Sequence, residues 1–186
     1  MKKINALIIA LTTISMLLTR CGGSETPKNA KPEIEVTEEN TTMSAEGGSI
    51  RFDNDTELQT TIQGLSVKDI YIVDANNKKI SESEITLNSI FFIVYEGVNN
   101  FVLKNGKAFP ELNIQVSNPN QNMDVSETDV LSSDADGLSE EEASTIRAMF
   151  SITEPMQAGN YNCLVQIMDK NNSESFIMST WAFEVK

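Results

Sequence analysis

The sequence has no histidine in 186 residues, only two cysteines, one tryptophan and three tyrosines. Without histidine there is no Ser-His or Cys-His nucleophile pair, no imidazole metal ligand and no imidazole proton shuttle. Basic residues are also scarce: 14 Lys and Arg stand against 27 Asp and Glu, a net charge of −13. A surface this acidic has no basic face to neutralise phosphates, which argues against nucleic acid as a partner. No glycine-rich phosphate loop appears, since Gly47-Gly48 sits between strand-like segments.

The one long apolar run is at the N-terminus. Lys2 and Lys3 precede residues 4–18, which are apolar except for Asn5, Thr12, Thr13 and Ser15. That is signal-peptide length, short of the roughly 20 residues a bilayer span requires. Leu17-Leu18-Thr19-Arg20-Cys21-Gly22-Gly23 comes next. This stretch resembles the lipobox of bacterial lipoproteins, although Arg20 stands where that family carries a small residue. The resemblance implies a lipoprotein signal peptide over residues 1–20, cleavage before Cys21 and lipidation of its thiol. It further implies that the membrane is a partner through this N-terminal lipid, in the bacterial cell envelope and at the outer membrane. An ordinary secretory signal and an uncleaved anchor are the other readings. Residues 21–43, with Gly22, Gly23, Pro27, Pro32 and, short of Met43, only Ile34 and Val36 as sizeable apolar groups, read as a flexible tether. The folded domain is expected over 44–186. With Cys21 lipidated, Cys163 has no disulfide partner and reads as a buried small hydrophobe.

The body reads as strands. Leu112-Asn113-Ile114-Gln115-Val116-Ser117 alternates apolar and polar, whereas Ile70-Tyr71-Ile72-Val73 and Ile90-Phe91-Phe92-Ile93-Val94-Tyr95 are continuous and predict strands covered on both faces. Asp74-Ala75-Asn76-Asn77, Asn105-Gly106 and Asp169-Lys170-Asn171-Asn172 read as turns. The repeated Asp-x-Asn-Asn leaves open one elaborated domain or two half-domains. Recurrent turns favour a β-sandwich. One short inserted α-helix is predicted over about 139–150. Ser139 with Glu142 forms a capping box, and Ala143, Ile146, Met149 and Phe150 recur at helical spacing.

Near the C-terminus, Ala158-Gly159-Asn160-Tyr161-Asn162-Cys163 resembles the penultimate strand of immunoglobulin-like domains, in which the tyrosine hydroxyl closes a corner. The resemblance implies an all-β, immunoglobulin-like β-sandwich. It places Tyr161, Cys163, Val165 and Ile167 in the core, opposite Ile177, Trp181, Phe183 and Val185 of the last strand.

Candidate chemistry is sparse. Asp134-x-Asp136-Gly137 offers weak calcium ligands, but no EF-hand fits, since Ser132 and Ala143 fall at its first and last positions. Paired carboxylates would be needed for glycoside hydrolysis, and nothing in the sequence sets two across one pocket. Tyr95 or Phe101 is the candidate stacking platform for a glycan. No catalytic residue is identified. The expectation is a non-enzymatic binding or structural module without a resident cofactor, calcium apart, whose ligand is a surface glycan or an envelope or host protein. A small carboxylate-dependent polysaccharide hydrolase and a calcium-stabilised adhesin subunit are the alternatives.

Overall fold

A computed structural model describes residues 32–37, 40–45, 47–118, 120, 123–134 and 136–186. The expected signal segment, Cys21 and most of the tether lie outside them. In order, the strands are β1 (Glu33–Val36), β2 (Asn40–Ala45), β3 (Gly48–Asp53), β4 (Gln59–Gln63), β5 (Asp69–Asp74), β6 (Glu84–Ile85), β7 (Ser89–Glu96), β8 (Pro110–Asn118), β9 (Met123–Glu127), β10 (Thr145–Ile152), β11 (Gly159–Asp169) and β12 (Asn172–Val185). A single helical turn, α1 (Glu140–Ala143), precedes β10.

The larger sheet has the order β1-β2-β3-β4-β12-β11-β8-β9, and β6 joins the end of β12 in parallel. The smaller sheet is β10-β7-β5, antiparallel throughout. The protein is therefore all-β with antiparallel sheets, consistent with a β-sandwich.

Alternation dictates which side chains meet between the sheets. β11 buries Tyr161, Cys163, Val165 and Ile167, and β12 buries Ile177, Trp181, Phe183 and Val185, as the sequence predicts. Phe91 of β7 meets this layer from the smaller sheet. Its ring stands edge-on to Trp181 at 5.3 Å and to Phe183 at 5.6 Å, and stacks on Phe150 of β10 at 4.7 Å. Burying one such aromatic contributes about 1.5–3 kcal/mol, and the ring geometry adds to it. At the start of β11 the Tyr161 hydroxyl donates to the Gln157 carbonyl (2.8 Å) and accepts from the Gln157 N–H (3.1 Å).

The predicted helix over 139–150 is corrected. Its start is real, because Ser139 caps the turn and Glu142 completes the capping box. The helix nevertheless stops at Ala143, and Thr145–Ile152 is a strand whose burial alternates strictly. Ile146, Ala148, Phe150 and Ile152 face inward, whereas Met149, which helical spacing would bury, is 57% exposed. Full-length pairing of β10 with β7 decides the conformation.

Coverage on both faces holds only in part. Val73 and Val94 are buried on the outer side of the smaller sheet, but Ile90 is 40% exposed. The Arg147 guanidinium roofs the Phe92 ring at 4.4 Å and donates to Asn77 (2.9 Å), supplying much of that cover.

Strand pairing also begins before residue 44. β1 and most of β2 fall in the expected tether, and Thr37 and Asn40, at the facing ends of these strands, bond reciprocally. Every β1 side chain is exposed, so this strand rests on its backbone ladder and not on burial.

Candidate functional site

The first three strands form the end of the larger sheet beyond β4, a wing of that sheet. Register fixes which side chains share a face: Glu35, Thr42, Arg51, Thr60 and Ser179 lie in one file across five strands. The file runs from exposed Glu35 to the interior, where Thr60 and Ser179 share a 2.7 Å hydrogen bond while both are buried. The Tyr95 hydroxyl lies against Ser179, and burial pushes its pKa far above the ordinary range.

Between these strands and the start of β5 there is a cleft of about 230 Å³. Arg51 lies in its wall. Its Nη1 donates to the Lys68 carbonyl (3.1 Å), tying β3 to the chain just before β5, while its Nε is buried with no hydrogen-bond partner among the described residues. The ion pairs among those residues join Lys68 to Glu96, Lys170 to Asp129, and Lys186 to Glu84 and Glu184; none includes Arg51. Glu35, Asp53 and Asp69 nevertheless border the same cleft, with Leu58 and Ile70 as its apolar part. A buried N–H without a partner costs about 1–3 kcal/mol; Arg51 itself lines the cleft, and the part of its guanidinium that borders the space can donate to an oxygen entering it.

The Asp53 wall is rigid. Its Oδ1 accepts from the Thr56 N–H (2.7 Å), the Thr56 hydroxyl (2.7 Å) and the Asp55 N–H (3.2 Å). The Thr56 carbonyl in turn accepts from Trp181 Nε1 (2.9 Å) and Ser83 Oγ (3.0 Å), so this turn is bolted to the core.

The residues singled out from sequence lie elsewhere. Tyr95 is fully buried and cannot be a glycan platform, which corrects that expectation; its β7 position points it at the other sheet. Phe101 packs partly buried against the core. Asp134 and Asp136 are exposed, and among the described residues no three Asp, Glu, His or Cys side chains gather as a metal site. The Asp134 carbonyl accepts from the Gly137 N–H (2.9 Å). Gly137 has φ +74°, and a Cβ there would fall 2.7 Å from the Phe109 ring, so packing explains this glycine. Cys21 lies outside the described residues. Sequence reasoning missed Arg51, which is legible there only as a charge between Ile50 and Phe52, one of three arginines in the chain.

Other titratable groups are held by local contacts. Hydrogen bonds from Ser139 lower the Glu142 carboxyl, and those from the Lys78 and Asn76 N–H groups lower Asp74. A general acid needs the opposite shift. Burial pushes the Cys163 thiol up to about 12.

No protein-family model matches the chain, and no curated protein matches it. Among solved structures it is similar to the PmoD soluble domain from Methylocystis sp. ATCC 49242 (Rockwell). The identity is 9% over 74% of this chain and 96% of that one, with a TM-score of 0.35. At that score the likeness carries no argument about fold or function.

Proposed function

We propose that this protein is a non-enzymatic binding module of the bacterial envelope, held on a lipid at Cys21, with an immunoglobulin-like β-sandwich presenting the Arg51 cleft to a glycan. The lipobox-like residues support the anchor, and the Tyr161 corner supports the finer fold class.

The observation that carries the binding assignment is Arg51 itself, a guanidinium with its Nε buried and unpartnered beside carboxylates it does not pair with. Arg51 supplies donors, and Asp53, Asp69 and Asn40 supply acceptors. Sugar hydroxyls donate and accept at once. The cleft borders carry both signs of charge, which suits a neutral polyhydroxyl ligand better than a simple ion. Leu58 and Ile70 offer apolar contact for the C–H edge of a ring. At about 230 Å³ the space is smaller than the ~300–1,000 Å³ of drug-sized pockets. It therefore takes a single sugar unit, such as the end of a glycan.

A thermal-denaturation screen against neutral mono- and oligosaccharides, with turnover assays on the same sugars, tests this reading. Stabilisation without turnover is expected. Turnover would favour the carboxylate-dependent hydrolase instead, and no stabilisation by any sugar would contradict glycan binding.

A further inference from the structure

β1 is the last strand of the larger sheet among the described residues, and its two faces differ in chemistry. Glu33 and Glu35 share the inner face with Thr42, Ser44 and Arg51. Ile34 and Val36 share the outer face, where register places Ile34, Met43 and Ile50 in one row. Ile34 is 59% exposed, Val36 67% and Met43 40%. The wing is thus polar toward the molecule and apolar away from it, the reverse of the sheet's centre.

We propose that the edge of β1 that no other described strand pairs takes an extended segment of a partner protein in which Lys or Arg alternates with apolar residues. An edge strand presents unpaired backbone donors and acceptors that a further strand can complete. Side chains opposite each other across such a pair lie on the same face. A segment in register would set its basic residues against Glu33 and Glu35. Its apolar residues would then prolong the row that begins at Ile34 and Met43.

Charge also excludes the simplest rival occupant, a second copy of β1. Antiparallel self-pairing that overlaps the strand most fully and keeps the apolar face continuous sets Glu33 opposite Glu35, or Glu35 opposite itself. Like charges in that position are destabilising. The edge is closed to its own kind and open to a basic strand, which a chain of net charge −13 attracts from a distance.

The test uses the full chain in detergent micelles at about 150 mM salt, where long-range attraction is screened. The probe is an end-capped octapeptide alternating Lys and Val; the control has the same composition arranged as two blocks. The alternating peptide is expected to bind at least about tenfold more tightly than the block peptide. The double variant Glu33→Lys, Glu35→Lys is expected to lose that binding and to prefer an alternating Glu/Val octapeptide. Both glutamates are exposed, so the variant is expected to fold, checked by the near-ultraviolet signal of Trp181. Equal binding of the block peptide, or undiminished Lys/Val binding by the double variant, would overturn the proposal.

Discussion

The indole Nε1 of Trp181 donates to the carbonyl of Thr56 at 2.9 Å, joining the middle of the core to the turn that shapes the Arg51 cleft. Both residues are buried, and the donor and acceptor are 125 positions apart in the chain. The cleft wall therefore inherits its rigidity from the core.

Removing the anchor of that turn tests this coupling. Asp53→Ala deletes the acceptor of three hydrogen bonds and is expected to cost about 1–3 kcal/mol. Asp53→Asn keeps an acceptor oxygen and is expected to cost less. Chemical denaturation followed by Trp181 fluorescence measures both, and equal losses would place the effect on the charge instead of the turn.

The strand identity of Thr145–Ile152 makes a sharp contrast between neighbours. Phe150→Ala removes a ring stacked on Phe91 and is expected to cost about 3–5 kcal/mol. Met149→Ala, at an exposed position, is expected to stay within about 0.5 kcal/mol of the parent. A helix burying both side chains on one face would penalise both.

At Gly137, a Cβ would enter the Phe109 ring and the backbone would be held at φ +74°. Gly137→Ala is expected to destabilise by more than about 1 kcal/mol. Packing causes this loss, so it is expected to be the same with and without calcium in the melting buffer. A loss that calcium abolishes would return Asp134 and Asp136 to consideration.

Two carboxylates make stability depend on acid pH. Hydrogen bonds lower Asp74 from its ordinary 3.8 and Glu142 from 4.5. Each therefore stabilises the fold fully above its ordinary value, and that stability is lost as pH falls through the lower folded-state value. Glu142→Gln is expected to weaken the protein at neutral pH, with the difference from the parent shrinking as the pH drops below 4.5. Urea titrations across that window measure it, and a difference that grows on acidification would contradict the assignment.

Cys163, with its thiol buried and pushed up to about 12, is expected to resist iodoacetamide at pH 8 in the native state. It is expected to alkylate once denaturant is added. Mass mapping of the peptide containing residue 163 reads the outcome.

The central strands and turns are legible in the sequence because burial and backbone chemistry leave strong local marks. β11 sets Tyr161, Cys163, Val165 and Ile167, and β12 sets Ile177, Trp181, Phe183 and Val185, at alternate positions, and Asn105-Gly106 occupies a turn with both φ values positive, 54° and 72°. The capping box at Ser139 is legible for the same reason. The strand after it is not, since Ile146 and Phe150 fit a helical face as well as a strand face and only the long-range pairing with β7 separates them. β1 is hidden because it is held by backbone bonds and buries no side chain. Arg51 is hidden because its significance lies in which residues the sheet register and the start of β5 bring around it. Glu35, Asp53 and Asp69 are scattered along the chain and meet only in the fold.

The most direct test of the cleft is an amide chemical-shift map of the isotope-labelled full chain in micelles, titrated with the neutral sugar that stabilises it most. Shifts concentrated at Arg51, Asp53, Asp69 and Thr42, and abolished in Arg51→Ala while the rest of the spectrum is unchanged, are the predicted result. Shifts confined to another face, or binding that survives Arg51→Ala undiminished, would contradict the account.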